Sequence, residues 1–189
     1  MSLKSEYLPR LVKTLTDLDA EMLSESIIKV SKKLDDRNTV FIIGNGGSAA
    51  TASHFATDLG KTKSKSGRPG SAVSLCDNLS IITAVANDDS FEKVFTSQLE
   101  MLAKPGDLLI SISASGKSPN LIKAVEYANA NGIDTLSFVG FDGGKLKEIS
   151  SLCLHVPTKF GDYGIAEDAH SVICHYIAEQ LRKKTVVDE

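Results

Sequence analysis

The sequence predicts an α/β protein, a three-layer α/β/α sandwich around a central parallel sheet of about five strands. Short apolar segments alternate with amphipathic helix patterns along most of the chain, which is typical of βαβ units. The apolar segments are continuous rather than alternating, as in strands that are covered on both faces. The length of 189 residues suits one ordinary domain.

The elements follow one another in a regular order. Residues 4–36 predict a long N-terminal amphipathic helix, in one or two pieces, because apolar residues recur every three or four positions. We assign residues 1–36 to a helical segment that packs on the domain and on a neighbouring subunit, and residues 37–189 to a single domain. A final helix is expected over about 165–184. The predicted strands are TVFIIG (39–44), SAVSL (71–75), DLLISIS (107–113), DTLSFVG (134–140) and LCLHV (152–156).

Composition excludes several classes of protein. The net charge is only −3, whereas nucleic-acid binders usually have a strong basic excess. No apolar run approaches the ~20 residues of a membrane span, and the start of the chain lacks a signal-peptide pattern. The three cysteines are far apart without a CxxC pair, which favours reduced thiols. We expect a cytoplasmic protein that binds neither nucleic acid nor membrane.

The turn after the first predicted strand is rich in glycine. Gly44, Gly46 and Ala49 fit the dinucleotide pattern G-x-G-x-x-[GA]. That pattern also needs an acidic residue about 20 positions later, where this chain has a Lys/Ser/Gly stretch, so no nucleotide cofactor is expected. Small residues before a helix that opens at Ser48 still favour an anion. A tight turn that binds nothing is the alternative.

A second turn, SISASGKSPN, follows the third predicted strand and contains the hydroxyl groups of Ser113, Ser115 and Ser118. Ser118 is the expected N-cap residue of the next helix, with Pro119 as its first residue. Three hydroxyls and helix-end amides suit a phosphate monoester, and a serine-rich capping turn without a ligand is the alternative. A P-loop is excluded because Ser111 stands where that motif needs glycine.

Titratable side chains lie on two predicted helices. His54 and Asp58 are four residues apart and share one helix face near the glycine turn. Glu167 and His175 lie near the end of the chain, eight residues or about 12 Å of ideal helix apart. They could reach one ion only if Glu167 lies in a loop or in the first helical turn. A surface ion pair and a core histidine are the respective alternatives.

The combination of GNGGSA…HF and SISASGKS resembles the sugar isomerase (SIS) domain family, and within it the phosphoheptose isomerase branch, over nearly the whole chain. The resemblance implies a flavodoxin- or Rossmann-like topology and a homotetramer with sites between subunits. Asn87 and Asp88, which follow a strand-like run, match a substrate-contacting pair, although an Asn/Asp turn that caps a helix explains them too. The implied phosphosugar-binding residues are Asn45, Gly46, Gly47, Ser48, Asn87, Asp88, Ser113, Ala114, Ser115, Ser118 and Glu167.

The resemblance also implies a centre in which two residues of the first helix and two near the last surround the sugar carbonyl and hold a divalent metal such as zinc. The matching positions are His54, Asp58, Glu167 and His175. Asp58 stands where the family has glutamate, and Glu167 where it has glutamine. The added carboxylate favours a cation, whereas the shorter base leaves the rate and the sugar open.

The function that these features predict is aldose–ketose isomerisation, from sedoheptulose 7-phosphate to a heptose 7-phosphate, by proton transfer through an enediol. Asp58 is the predicted base at carbon and His175 the acid/base at oxygen. The alternative is a non-catalytic protein of the same fold, either a regulator that binds phosphosugars or an interaction protein of the replication initiator-associating type. An NAD-dependent enzyme is excluded by the missing ribose-binding acid.

Overall fold

The computed structural model of the chain describes residues 2–62, 64 and 67–186. The N-terminal segment forms two helices, α1 (Leu8–Thr16) and α2 (Ala20–Asp35), with a π-helical turn (Leu3–Tyr7) before them. The break between them has a local cause. The Asp19 carboxylate accepts hydrogen bonds from the backbone N–H groups of Glu21 and Met22, and so caps α2.

The remaining elements alternate as predicted, with the second strand shorter and the last helix longer than expected. A helix, α5, and the 3-10 turn Phe91–Lys93 before it lie outside the predicted pattern. The order is β1 (Val40–Gly44), α3 (Gly47–Lys61), β2 (Ala72–Ser74), α4 (Leu79–Asp88), α5 (Thr96–Leu102), β3 (Leu108–Ser113), α6 (Pro119–Ala130), β4 (Asp134–Val139), α7 (Gly144–Ile149), β5 (Leu152–His155) and α8 (Tyr163–Val186).

The described residues form one five-stranded parallel sheet in the order β2-β1-β3-β4-β5. This order is the flavodoxin-like one, in which the winding of the chain reverses between β1 and β3. Gly44 at the end of β1 is in register with Ile112 near the end of β3. The glycine turn and the serine turn therefore begin side by side at the switch point, where open α/β sheets bind their ligands.

Helices cover both faces of the sheet, which confirms the three-layer sandwich. On one face α2, α3 and α8 enclose a core that includes Phe55 and Ile173. On the other face α5, α6 and α7 enclose a core that includes Leu99 and Leu121. Helices α1 and α2 both contact α8 of the same chain. The division of the chain at residue 36, and the contact of its first segment with another subunit, stay predictions.

A membrane span requires a long, apolar helix. Among the residues that the structure describes, no helix combines the length and the apolar character needed to cross a bilayer.

Candidate active site

The glycine turn brings backbone N–H groups to the carboxyl edge of the sheet. α3 begins at Gly47, one residue earlier than predicted, and Gly46 is its N-cap residue with a positive φ of 56°. Ser48, the second helical residue, is buried in the first turn. The turn therefore has the local form that an anion needs, with exposed glycine backbone at a helix N-terminus.

The serine turn has its own internal hydrogen bonds. The Ser113 hydroxyl accepts from the N–H of Gly116 at 3.0 Å, and the Ser115 hydroxyl accepts from the N–H of Lys117 at 3.3 Å. Ser118 is at the N-cap of α6 as predicted, but its side chain forms no capping hydrogen bond. A serine hydroxyl that accepts one bond still has its own O–H to donate. The turn is thus a preformed capping turn that can also donate to a ligand.

The loop after β4 packs against the backbone of the serine turn. A Cβ atom at Gly116, whose φ is 63°, would overlap the carbonyl group of Gly143 in the loop after β4. The carbonyl of Gly116 accepts a hydrogen bond from the N–H of Leu146 at 3.0 Å. Only glycine permits this approach at position 116, so the loop after β4 fixes the shape of the turn.

A reciprocal pair of amide hydrogen bonds joins the two turns. Asn45 Nδ2 donates to Asn120 Oδ1 at 3.0 Å, and Asn120 Nδ2 donates to Asn45 Oδ1 at 2.9 Å. Asn120 is buried, and its Oδ1 also accepts from the N–H of Leu121. The predicted binding residue Asn45 therefore acts as a bridge. Sequence analysis missed Asn120, for which the available signal was an amide directly after the Ser-Pro start of a helix.

Three titratable side chains meet between α3 and α8. His54, Asp58 and His175 each offer a ligand atom, and these atoms lie within 4.8 Å of one another. The two imidazole rings meet edge to face, with centroids 4.9 Å apart, and His54 Nε2 lies 3.8 Å from Asp58 Oδ2. The histidines are exposed, whereas the Asp58 side chain is only 16% exposed. The structure thus brings together three of the four predicted metal ligands.

Asp58 has a further partner that sequence analysis missed. Arg182 Nη2 donates to Asp58 Oδ1 at 2.9 Å. Arg182 follows His175 by seven residues, two turns of α8, and so lies on the same helix face. The Asp58 carboxylate therefore faces an imidazole with one oxygen and a guanidinium with the other. The spacing of a basic residue seven positions after a histidine was the only signal in the sequence.

Glu167, the fourth predicted ligand, does not join this cluster. The prediction that Glu167 and His175 share one ion required Glu167 to lie in a loop or in the first helical turn. Glu167 instead lies within α8, beyond its first turn, and its carboxylate packs against Gly47. A Cβ atom at Gly47 would lie 2.5 Å from Glu167 Oε2. Within the described residues, that carboxylate has neither a hydrogen-bond partner nor an ion-pair partner.

The parallel packing of α3 on α8 explains this separation. Contacts occur in the same order along both helices, first Gly47 with Glu167, then His54 with His175. Gly47 and His54 are seven residues apart, which is about 10 Å along a helix axis. The cluster therefore lies about two helical turns from the glycine turn, where α3 packs on α8.

Asn87 and Asp88 are placed differently from the strand-end position expected for them. They are the last two residues of α4, both exposed, and Asn87 Nδ2 donates to Asp88 Oδ1 at 2.8 Å. This position at a helix end agrees with the alternative explanation of the pair, an Asn/Asp turn at the end of a helix. Their contact with a substrate stays a prediction.

His170 lies on the buried side of α8 and outside the candidate site. Its side chain is fully buried, and neither ring nitrogen forms a well-aligned hydrogen bond to the described residues. Burial lowers the pKa of His170 to about 4, although the nearby carbonyl of Val139 opposes part of that shift. His170 is therefore a neutral core residue at physiological pH.

Comparison with known proteins agrees with this architecture. The family model for the SIS domain matches residues 5–140, and the chain belongs to the SIS domain family. It is 36% identical to a probable phosphoheptose isomerase of Thermoplasma acidophilum, with 95% of this chain and 97% of that protein covered. It is 41% identical to the phosphoheptose isomerase of Helicobacter pylori strain P12, with 92% and 88% covered. Within the family, the chain is thus a member of the phosphoheptose isomerase branch.

A solved structure supports the same placement. The phosphoheptose isomerase of Neisseria gonorrhoeae superposes with a TM-score of 0.84 at 27% identity, and the match covers 96% of this chain and 100% of that one.

Proposed function

We propose that the protein is a phosphoheptose isomerase that interconverts sedoheptulose 7-phosphate and a heptose 7-phosphate. The supporting observation is the grouping of two imidazoles and a carboxylate, His54, His175 and Asp58, about two helical turns from the two joined turns. Such groups move protons efficiently near neutral pH. The names of the relatives in the same branch agree with this activity.

The phosphate is assigned to the serine turn. The hydroxyls of Ser113, Ser115 and Ser118 and the start of α6 supply the donors that a phosphate dianion needs. Asn45 and the glycine turn then lie along the sugar chain. A seven-carbon sugar phosphate measures roughly 10 Å from C1 to phosphorus when extended, since C–C bonds are about 1.5 Å. That length suits a path from the turns to the cluster of His54, Asp58 and His175.

The isomerisation uses Asp58 and His175 in different proton transfers. From the ketose, Asp58 removes a proton from C1 and returns it to C2. His175 protonates the C2 oxygen and accepts the proton of the C1 hydroxyl, so that the enediol becomes the aldose with no net gain or loss of protons. Arg182 orients the Asp58 carboxylate for this role through its hydrogen bond to Oδ1.

The same three side chains fit a divalent metal. Two imidazoles and one carboxylate within 4.8 Å of one another are ligands that zinc prefers. His54, Asp58 and His175 would hold the ion, and Glu167 would not, because its carboxylate lies against Gly47. A bound metal supplies Lewis-acid polarisation of the sugar carbonyl.

We further propose a cytoplasmic homotetramer with sites completed between subunits. The His54 side chain is 59% exposed in the single chain, which is unusual for a group in an enclosed catalytic site. Large apolar side chains are also exposed on α4 and α5, notably Leu79, Met101 and Leu102. A neighbouring subunit would cover both.

The test is a turnover assay with purified, metal-analysed protein and a panel of C5 to C7 ketose phosphates. Sedoheptulose 7-phosphate should give aldose product, and Asp58→Asn and His175→Ala should each abolish that turnover. Asp17→Asn, which removes an exposed carboxylate paired with Lys13 on α1, is the control and should be fully active. Tight phosphosugar binding without turnover of any panel member would instead support a regulator.

A further inference from the structure

The imidazole of His155, on β5, holds the loop after β4 (residues 140–143) through two hydrogen bonds. Its Nε2 lies 2.9 Å from the carbonyl oxygen of Phe141, and its Nδ1 lies 3.1 Å from Nζ of Lys147 on α7. A lysine ammonium only donates hydrogen bonds, and a carbonyl oxygen only accepts them. These partners assign the neutral tautomer with the proton on Nε2, which donates to Phe141 while Nδ1 accepts from Lys147.

Phe141 has a backbone conformation that needs such partners. Its φ is 43°, in the left-handed region that is unfavourable for a residue with a bulky side chain. Conformations of this kind persist only where neighbouring groups hold them. The N–H of Phe141 donates to Oγ1 of Thr158 at 3.1 Å, and its carbonyl accepts from His155. These two side chains therefore satisfy both backbone polar groups of Phe141 and stabilise its strained conformation.

The same loop packs directly on the serine turn, on both sides of Phe141. The N–H of Gly140 donates to the carbonyl of Ser113 at 3.2 Å. The carbonyl of Gly143 lies where a Cβ atom at Gly116 would be. Because Phe141 lies between these two contacts in the chain, a change in its backbone angles would move one contact relative to the other and so change the shape of the turn.

Lys147 provides a second connection from His155 to the serine turn. Its side chain covers Gly143, since a Cβ atom there would lie 2.6 Å from Cδ of Lys147. The hydrogen bond to His155 Nδ1 keeps this side chain over the glycine whose carbonyl meets Gly116. One imidazole thus holds the loop at two points, the carbonyl of Phe141 and the side chain that covers Gly143.

We propose that His155 is a positioning residue for phosphate binding. It keeps the loop after β4 in place, and the loop keeps the serine turn in the shape that accepts the phosphate of the substrate. This role rests on the proposed function, in which the serine turn holds that phosphate. Loss of the bond to Phe141 should weaken phosphate binding and leave the proton transfers unchanged, because the proposed acid and base lie on α3 and α8.

The test uses two substitutions that each retain one part of the imidazole. The side-chain amide of Gln reaches the position of Nε2 and donates to Phe141, whereas the shorter Asn reaches only the position of Nδ1. His155→Asn should raise two constants about tenfold, the dissociation constant of inorganic phosphate in calorimetry and KM for sedoheptulose 7-phosphate, with kcat within about twofold of wild type. His155→Gln should keep both constants within about threefold of wild type.

Asn129→Ala is the matched control. Asn129 Nδ2 donates to the carbonyl of Ile149 at 2.7 Å, which is the same kind of bond at the other end of α7. This variant should lose stability in urea unfolding but keep wild-type phosphate affinity and KM, which separates positioning from general loosening. Thr158→Val, which removes the acceptor for the N–H of Phe141, is a second test and should weaken phosphate binding as His155→Asn does.

The outcomes separate the two proposals. If the wild-type protein binds phosphate and turns over sedoheptulose 7-phosphate, but His155→Asn leaves both constants unchanged, the positioning role is wrong while the isomerase stands. Equal losses in His155→Gln or in Asn129→Ala would contradict it too. If the wild-type protein binds phosphate without turnover, the isomerase proposal is wrong and calorimetry still decides the role of His155. If it neither binds phosphate nor turns over the sugar, both proposals are wrong.

Discussion

The two turns at the sheet edge and the cluster between α3 and α8 are built in different ways. The turns are held by buried amides and by backbone contacts that only glycine allows, as at Asn120 and Gly116. The cluster consists of two exposed imidazoles and one carboxylate, fixed by an edge-to-face ring contact and one arginine. The part that would hold the phosphate is therefore preformed, whereas the part that would move protons depends on a ligand, a metal or a neighbouring subunit for its final geometry.

Loss of the Asp58 carboxylate should have the largest effect. Asp58→Asn keeps the volume but removes the proposed base, so kcat should fall by roughly 10²- to 10⁴-fold, the usual contribution of a positioned acid or base. KM should stay within about threefold, because the turns are untouched. Steady-state kinetics with sedoheptulose 7-phosphate measure both constants. A tenfold rise in KM with normal kcat would place Asp58 in binding and not in catalysis.

Zinc binding tests the same cluster by a different route. If His54, Asp58 and His175 hold zinc, stoichiometric zinc should raise the thermal midpoint of the wild-type protein, since a ligand specific to the folded state stabilises it. The shift should disappear in His54→Ala and persist in Glu167→Gln. An unchanged shift in His54→Ala would assign the ion to other side chains.

Mutations in the preformed turns should raise KM and leave kcat nearly unchanged, whereas mutations in the cluster should lower kcat. Asn120→Ala removes both bridging bonds and leaves the Asn45 amide without its partner, which should cost roughly 1–3 kcal/mol of unfolding free energy. KM should rise about tenfold, because two turns that share one phosphosugar lose their alignment, while kcat changes little. Urea unfolding and steady-state kinetics measure the two effects.

A double-mutant cycle sharpens that result. Asn45→Ala and Asn120→Ala should be strongly non-additive, since each removes the same reciprocal pair. Asn131→Ala removes an exposed amide that bonds only the Tyr127 carbonyl on α6 and is the control. Additive losses for Asn45 and Asn120 would show that the bridge does not couple the turns.

The sequence was sufficient for the fold and for the turns because both depend on local patterns. Continuous apolar strands followed by amphipathic helices define the sandwich, and parallel strands place their carboxyl ends on one edge. Ser118 and Pro119 mark the start of α6, and the helix does begin at Pro119 with Ser118 as its N-cap residue. These signals need no knowledge of which helix packs on which.

The unpredicted features of the candidate site depend on long-range packing. Asn45 and Asn120 are 75 residues apart, and the partner of Asp58 is Arg182, 124 residues away. The position of Glu167 depends on the parallel register of α8 on α3, which no single helix pattern encodes. The resemblance placed four ligands together, and the helix register brings together only three.

The buried His170 on α8 should make the stability of the protein depend on pH. The pKa of His170 is lowered to about 4 by burial, against 6.5 for an ordinary histidine. Between these values the unfolded chain binds a proton that the folded chain does not, so the free energy of unfolding falls as pH falls from 6.5 towards 4. The full loss is roughly 3 kcal/mol, at 1.36 kcal/mol for each pKa unit, and none of it is present above pH 6.5.

His170→Met should therefore be less sensitive to acid than the wild-type protein over that interval. Urea unfolding at pH 7.5, 6 and 5 measures the difference, and carboxylates that titrate in both proteins cancel in the comparison. Val172→Ala, which changes an exposed residue of the same helix that carries no titratable group, is the control and should follow the wild-type curve. Parallel curves for His170→Met and the wild type would mean that His170 is not the group responsible.

The smallest effect is expected where the N-terminal segment meets α8, at the exposed hydrogen bond from Tyr7 to Asp168. That bond, together with the neighbouring acidic groups, raises the pKa of Tyr7 to about 12. Tyr7→Phe removes only the donor, and an exposed hydrogen bond contributes about 0.5 kcal/mol, the low end of the usual range, because water replaces it. The variant should lose that amount in urea unfolding and keep wild-type kcat and KM. A large rise in KM would instead mean that the N-terminal segment positions the start of α8, and with it Glu167. The site would then depend on its surroundings more than the rigid turns do.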